Sequence, residues 1–203
     1  MTYMAKISNA TLVTVVTPKI KYKMIHPPEG QPRNNFKWEP LLTERIENFI
    51  DKNSPIVFYD VGSAFGIFSK LVSLLDKKNK VYAFEPYTPR WLTNFINTMF
   101  CFNIRLYKTY VGSEVKNGFT TLAHFSKRTG TIPDLIKMDI EGAEYEALLG
   151  SEEWLQEHMP TLFLEFHENI MKNTNRDPQM LLDLFDRLGY KVNRIEHHEV
   201  DQG

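Results

Sequence analysis

Asp134-Leu135-Ile136-Lys137-Met138-Asp139-Ile140-Glu141-Gly142-Ala143-Glu144 is an apolar run after Pro133 that two charges interrupt. Side chains alternate along a strand, so a strand over Leu135 to Ile140 puts Lys137 and Asp139 on one face. Charges in a buried central strand are costly unless paired or used, which makes this pair a functional candidate ahead of a buried ion pair.

Outward from this strand, short β-branched or aromatic runs alternate with helical periods, the sign of parallel strands joined by crossover helices. Upstream, Leu42, Ile46, Phe49 and Ile50 mark a helix, Ile56 to Tyr59 a strand, Phe65 to Leu75 a helix and Lys80 to Phe84 a strand. Thr88 as N-cap and Pro89 at the first helical position open a helix with Trp91, Leu92, Phe95, Ile96 and Met99 on one face. A third strand over Ile104 to Val111 and a helix over Thr121 to Arg128 follow. Downstream come two short helices (Ala143 to Leu149, Ser151 to Glu157) and a fifth strand, Thr161 to Phe166. A last helix, capped by Asp177 and Pro178 and stopped by Gly189, leads to a strand over Tyr190 to Ile195. The expected class is α/β: a Rossmann-like, mostly parallel central sheet with helices on both faces. Residues 1–37, with Pro18, Pro27, Pro28, Gly30 and Pro32, read as a basic arm on a domain spanning 38–203.

The 203 residues suffice for one core without staples. A composition of 42% hydrophobic and 24% charged residues excludes disorder as the main state. No apolar stretch approaches the roughly 20 residues that span a bilayer, and no signal peptide opens the chain, so a cytosolic protein is expected. Cys101, the only cysteine, rules out an internal disulfide and a Cys-based zinc cluster. A net charge of -1 argues against binding driven by charge to nucleic acid or anionic membrane.

Ligands of such sheets sit outside the carboxyl ends of the strands. The first strand ends in Asp60-Val61-Gly62-Ser63-Ala64-Phe65-Gly66, where Gly62 lets a ligand approach the backbone and Gly66 lets the helix pack on its strand. The second ends in Glu85-Pro86, placing an acid where the hydroxyls of an adenosine ribose are held. Asp60, Gly62, Ser63, Gly66, Glu85, Pro86, Ser113 and Asp139 form the expected cofactor set. This pairing indicates NAD or S-adenosylmethionine (AdoMet) without choosing between them. If the fourth and fifth strands are neighbours, Asp139, Glu141, Glu165 and His167 converge at the mouth.

From Trp38 to about His167 the chain resembles the FkbM-type AdoMet-dependent methyltransferases. The likeness rests on Trp38-Glu39-Pro40, Asp60-Val61-Gly62 with Gly66, Phe84-Glu85-Pro86 followed by Asn97, Thr121-Leu122, and above all Lys137-x-Asp139-x-Glu141-Gly142-Ala143-Glu144. It implies a Rossmann-like methyltransferase sheet, AdoMet as cofactor, and methyl transfer to a hydroxyl of a sugar or natural product. Asp139 is then the first candidate base and His167 the second, with Lys137 and Glu165 completing the catalytic set. No metal is expected; the alternative is a divalent cation on Asp139, Glu141 and Glu165, since hard cations take carboxylate oxygens. A small-molecule or glycan hydroxyl is the expected partner. The rival readings are a ribose 2'-O-methyltransferase of RNA, for which the basic arm is the only hint, an NAD-binding oxidoreductase, and a binding module with a degenerate site.

Overall fold

The computed structural model describes residues 11–26, 37–173 and 177–193. The first of these form an antiparallel hairpin, β1 (Thr11–Val16) on β2 (Lys21–His26). Helix α1 (Pro40–Asn53) leads to β3 (Val57–Val61), then α2 (Ile67–Leu75), β4 (Lys80–Phe84), α3 (Thr88–Thr98) and β5 (Ile104–Tyr107). A two-stranded parallel pair, β6 (Tyr110–Val111) and β7 (Phe119–Thr120), precedes α4 (Leu122–Thr129) and β8 (Leu135–Met138). Helices α5 (Glu144–Leu149) and α6 (Glu152–His158), strand β9 (Thr161–Leu164), α7 (Glu168–Asn173) and α8 (Gln179–Leu188) complete the chain.

Five strands pair in the order β5-β4-β3-β8-β9, every pairing parallel. Alternation sorts their side chains into two cores. Phe58, Val81 and Leu135 face Ile46, Leu71 and Val72 of α1 and α2, and the hairpin adds Val13, Val15, Tyr22 and Met24 to that layer. Tyr59, Val61, Phe84, Ile136 and Met138 face Leu122, Phe125, Leu148 and Leu184 of the later helices. Each fully buried Phe or Leu contributes roughly 1.5–3 kcal/mol relative to exposure.

Several expectations need correction. The third strand is two: β5 ends at Tyr107, and Tyr110 pairs instead with Phe119. The fourth and fifth stop at Met138 and Leu164, short of Asp139 and Glu165. Residues 190–193 form no strand, and 194–195 lie outside the described residues. The arm holds a second strand, β2, which its proline-rich surroundings concealed. Thr88 is the first residue of α3 and Tyr87 its N-cap.

The largest departure concerns the faces of α3. Its buried residues are Thr93, Asn94, Asn97 and Thr98, whereas Phe95 and Met99 are 46% and 47% exposed. Polar partners reward this orientation. The Asn97 amide donates to the Ile25 and Phe65 carbonyls (3.0 and 2.9 Å) and accepts from the Ile25 N–H (2.7 Å). The Asn94 amide donates to Ser63 Oγ (2.9 Å). A helix satisfied inward by amides has no need to turn its apolar side to the core.

Candidate active site

Parallel β8 and β9 end side by side, and the chain after them brings four carboxylates around one ring. His167, just before α7, has Nε2 at 3.6 Å from Glu141, 3.7 Å from Glu165 and 3.8 Å from Asp139. Its Nδ1 lies 3.3 Å from Glu144 Oε1. That oxygen also accepts the Ile140 and Gly142 N–H groups (3.1 and 3.2 Å), and Glu144 is 1% exposed. Glu144 therefore folds the loop back on itself and orients the imidazole, a role the sequence reading missed although the residue stood in the motif it quoted.

Lys137, with 4% of its side chain exposed, donates to Asp139 Oδ2 at 3.3 Å and toward the Gly62 carbonyl at 3.5 Å. The alternation argument thus brings Lys137 and Asp139 together, and Asp139 Oδ1 remains directed to the ring. Glu141 and Gly142 adopt positive φ, 57° and 93°, and a Cβ on Gly142 would lie 2.5 Å from Ile170 Cγ2 of α7. The loop and α7 pack closely enough to fix His167. Asp139, Glu144 and His167 each offer a ligand atom within 4.8 Å of the others, a different trio from the one expected for a cation.

A further acid joins the site from α1. Burial raises the Glu39 carboxyl above the ordinary range, Lys137 opposing and Glu165 and Asp139 adding to the rise; its Oε2 is buried without a hydrogen bond. The folded state thus binds this proton more tightly than the unfolded one. Stability is lost as pH rises from the unfolded value, about 4.3, through the raised folded value, and the deficit persists above it. Glu39→Gln should therefore raise the melting temperature at neutral pH, with the gain shrinking as pH falls through that window. A gain that does not change with pH in calorimetric scans would refute this account.

At the neighbouring strand ends, Gly62 and Ser63 donate to the Phe84 carbonyl, both at 3.0 Å, and Gly66 donates to the Ser63 carbonyl. One expectation changes here. The space a Cβ would take at Gly62 holds the Asp139 carbonyl (1.8 Å), and at Gly66 it holds Asn94 of α3 (2.4 Å). Gly62 thus makes room for the backbone of the adjoining strand end, and Gly66 for α3 where the preceding strand was expected. Ser63 Oγ is engaged with Asn94 and Phe84. Asp60 is 1% exposed, accepts from Ser69 at 2.5 Å, and leaves Oδ1 unpartnered beside Lys137. Ser113 is exposed in the loop after β6, its backbone against Gly150. Pro86 is half-buried. Glu85 accepts the Ala64 N–H on Oε2 (3.0 Å) and the Tyr87 N–H on Oε1 (2.8 Å). Burial raises its pKa against these bonds.

The segment from β5 to just past α8 matches the model described as the methyltransferase FkbM domain, over residues 104–192. The match covers a little under half of the chain. The matched segment contains Asp139, Glu141, Glu144, Glu165 and His167, while Asp60 to Gly66 and Glu85 precede it. No curated protein matches the chain. Among solved structures it resembles precorrin-6y C5,15-methyltransferase from Geobacter metallireducens GS-15 (11% identity, 76% of this chain and 74% of that one, TM-score 0.51). It also resembles a putative caffeoyl-CoA O-methyltransferase from Staphylococcus aureus (15% identity, 74% of each chain, TM-score 0.50). Methyltransferase FkbM from Methylobacillus flagellatus KT is 22% identical over 66% of this chain and 36% of that one, TM-score 0.48. The present chain thus spans about a third of that protein's length. At these identities the first two likenesses establish the fold alone, that of class I methyltransferases. No helix among the described residues is long and apolar enough to cross a membrane.

Proposed function

We propose that the protein transfers a methyl group from AdoMet to a hydroxyl of a sugar or small-molecule acceptor. The observation that carries this reading is the convergence of Lys137, Asp139, Glu144 and His167 at the end of β8, beside the β3 turn and within the matched segment. AdoMet would supply a methyl group on a sulfonium, already a good leaving group. What remains for the protein is to orient the acceptor oxygen and take its proton, contributions of ~7–11 kcal/mol for full orientation and ~10²–10⁴-fold for a base. Asp139 Oδ1 takes that proton, and Lys137 holds the other oxygen of the carboxylate. Glu144 fixes the His167 ring, which positions Asp139 and the acceptor.

Glu85 suits the ribose of such a cofactor. Each of its oxygens takes one backbone N–H and keeps a lone pair, and a desolvated carboxylate gains from two hydroxyl donors. S-adenosylhomocysteine should raise the melting temperature and NAD should not, since a ligand of the native state must stabilise it. A shift with NAD alone overturns the reading in favour of an oxidoreductase. Glu85→Ala should weaken cofactor binding by about 1.5–3 kcal/mol, the range for hydrogen bonds to a charged group. Unchanged affinity by calorimetry would remove Glu85 from the site.

A further inference from the structure

Among the described residues, the outward apolar side of α3 belongs to neither hydrophobic core. Trp91, Phe95 and Met99 recur at four-residue spacing, with Trp91 and Phe95 stacked at 5.7 Å. The loop after the helix continues the surface: Phe100 is 79% exposed and Phe102 94%, and Leu12 of β1, 59% exposed, borders it. Aromatic side chains exposed so fully and so close together mark an interaction surface.

Beside them lies a cavity of about 290 Å³ between the hairpin and helices α2 and α3. Leu12, Ile96 and Phe100 line it, together with Lys23, Lys70 and Lys77, and no carboxylate lines it among the described residues. The Lys70 amine donates to the Lys23 carbonyl at 2.7 Å. Apolar side chains in a row bordered by amines are the pattern that lies in the headgroup zone of a bilayer, chains in hydrocarbon and amines on phosphates.

We propose that the carboxyl-terminal end of α3 and the loop 99–102 dock this protein on an anionic lipid bilayer. Charge favours a bilayer over a second copy of the chain, because a two-fold contact through this patch would bury the amines of both copies with no carboxylate among the described lining residues of the cavity to pair them. The location suits the purpose. Asn103 accepts from the Val81 N–H at the start of β4, so the loop lies at the amino ends of the strands, and the acidic site lies at their carboxyl ends. Docking there leaves the site facing solution. A net charge of -1 is no obstacle, since the attraction is local to the patch and fades within a Debye length of about 8–10 Å.

The test is co-sedimentation of the full chain with vesicles, which is independent of methyl transfer. Vesicles of phosphatidylcholine mixed with phosphatidylserine should carry the protein down, phosphatidylcholine alone should carry little, and added salt should release it. The double variant Phe100→Ser, Phe102→Ser, with a parental circular dichroism spectrum, should lose at least tenfold in partitioning. Lys77→Glu, a change of an exposed side chain, should weaken binding to the mixed vesicles only. Absence of binding to the mixed vesicles at low salt overturns the proposal, as does equal binding by the Phe variant. A concentration-dependent dimer in sedimentation velocity that the Phe variant abolishes assigns the patch to a second copy instead.

Discussion

Asp139→Asn should leave S-adenosylhomocysteine affinity near the parental value while methyl transfer falls by about 10²–10⁴-fold, the loss typical of a general base. The substitution keeps the volume of the side chain and removes its charge. It also removes the partner of Lys137, a side chain only 4% exposed, so a moderate loss of stability is expected alongside. The two effects separate by measuring rate at a temperature where the variant remains folded. A parental rate on the true acceptor would transfer the base to His167. His167→Gln distinguishes the roles further: if the ring only positions Asp139, the pH profile of kcat should keep the same acid limb while kcat falls.

Gly62→Ala should be the most damaging single change to the fold. The added Cβ would lie 1.8 Å from the Asp139 carbonyl oxygen and 2.8 Å from its carbon, both backbone atoms of the adjoining strand end. The residue also sits at φ 77°, where a side chain is strained. Relief requires the ends of β3 and β8 to separate, and the cost should exceed about 4 kcal/mol, within the range reserved for severe core disruption. Since whole domains are stable by about 5–15 kcal/mol, urea unfolding should show a large drop in midpoint or no folded baseline. Gly118→Ala is the control: φ is 79°, but nothing lies within 4 Å of the added carbon. It should cost only the backbone strain, about 1–3 kcal/mol. Equal losses in the two variants would show that conformation rather than contact makes Gly62 necessary.

Much of the architecture was legible because burial writes itself into periodicity. The strands around Phe58, Val81, Ile136 and Leu162 are apolar on both faces, and the helices between them repeat with helical spacing. The pairing of Lys137 with Asp139 followed from alternation alone, and the convergence on His167 followed once β8 and β9 were neighbours. Residues far apart in sequence were harder to see. Glu39 reaches the site from the start of α1, and no spacing rule links it to Lys137. Glu144 acts through backbone N–H groups of its own loop, whose positive φ at Glu141 and Gly142 only the folded chain displays.

The sequence by itself determined the α/β class, the charged pair at the end of the central strand and the glycine turn followed by an acid, since each depends on local period and residue type. Tertiary structure alone decided what the glycines admit and which way α3 faces. Gly62 yields to the Asp139 carbonyl because β3 and β8 run side by side, a pairing between residues more than 70 positions apart. The apolar side of α3 had every local mark of a core face. It points outward because Asn94 and Asn97 find partners on the β3 turn and the hairpin, and those hydrogen bonds exist only once the three elements have met.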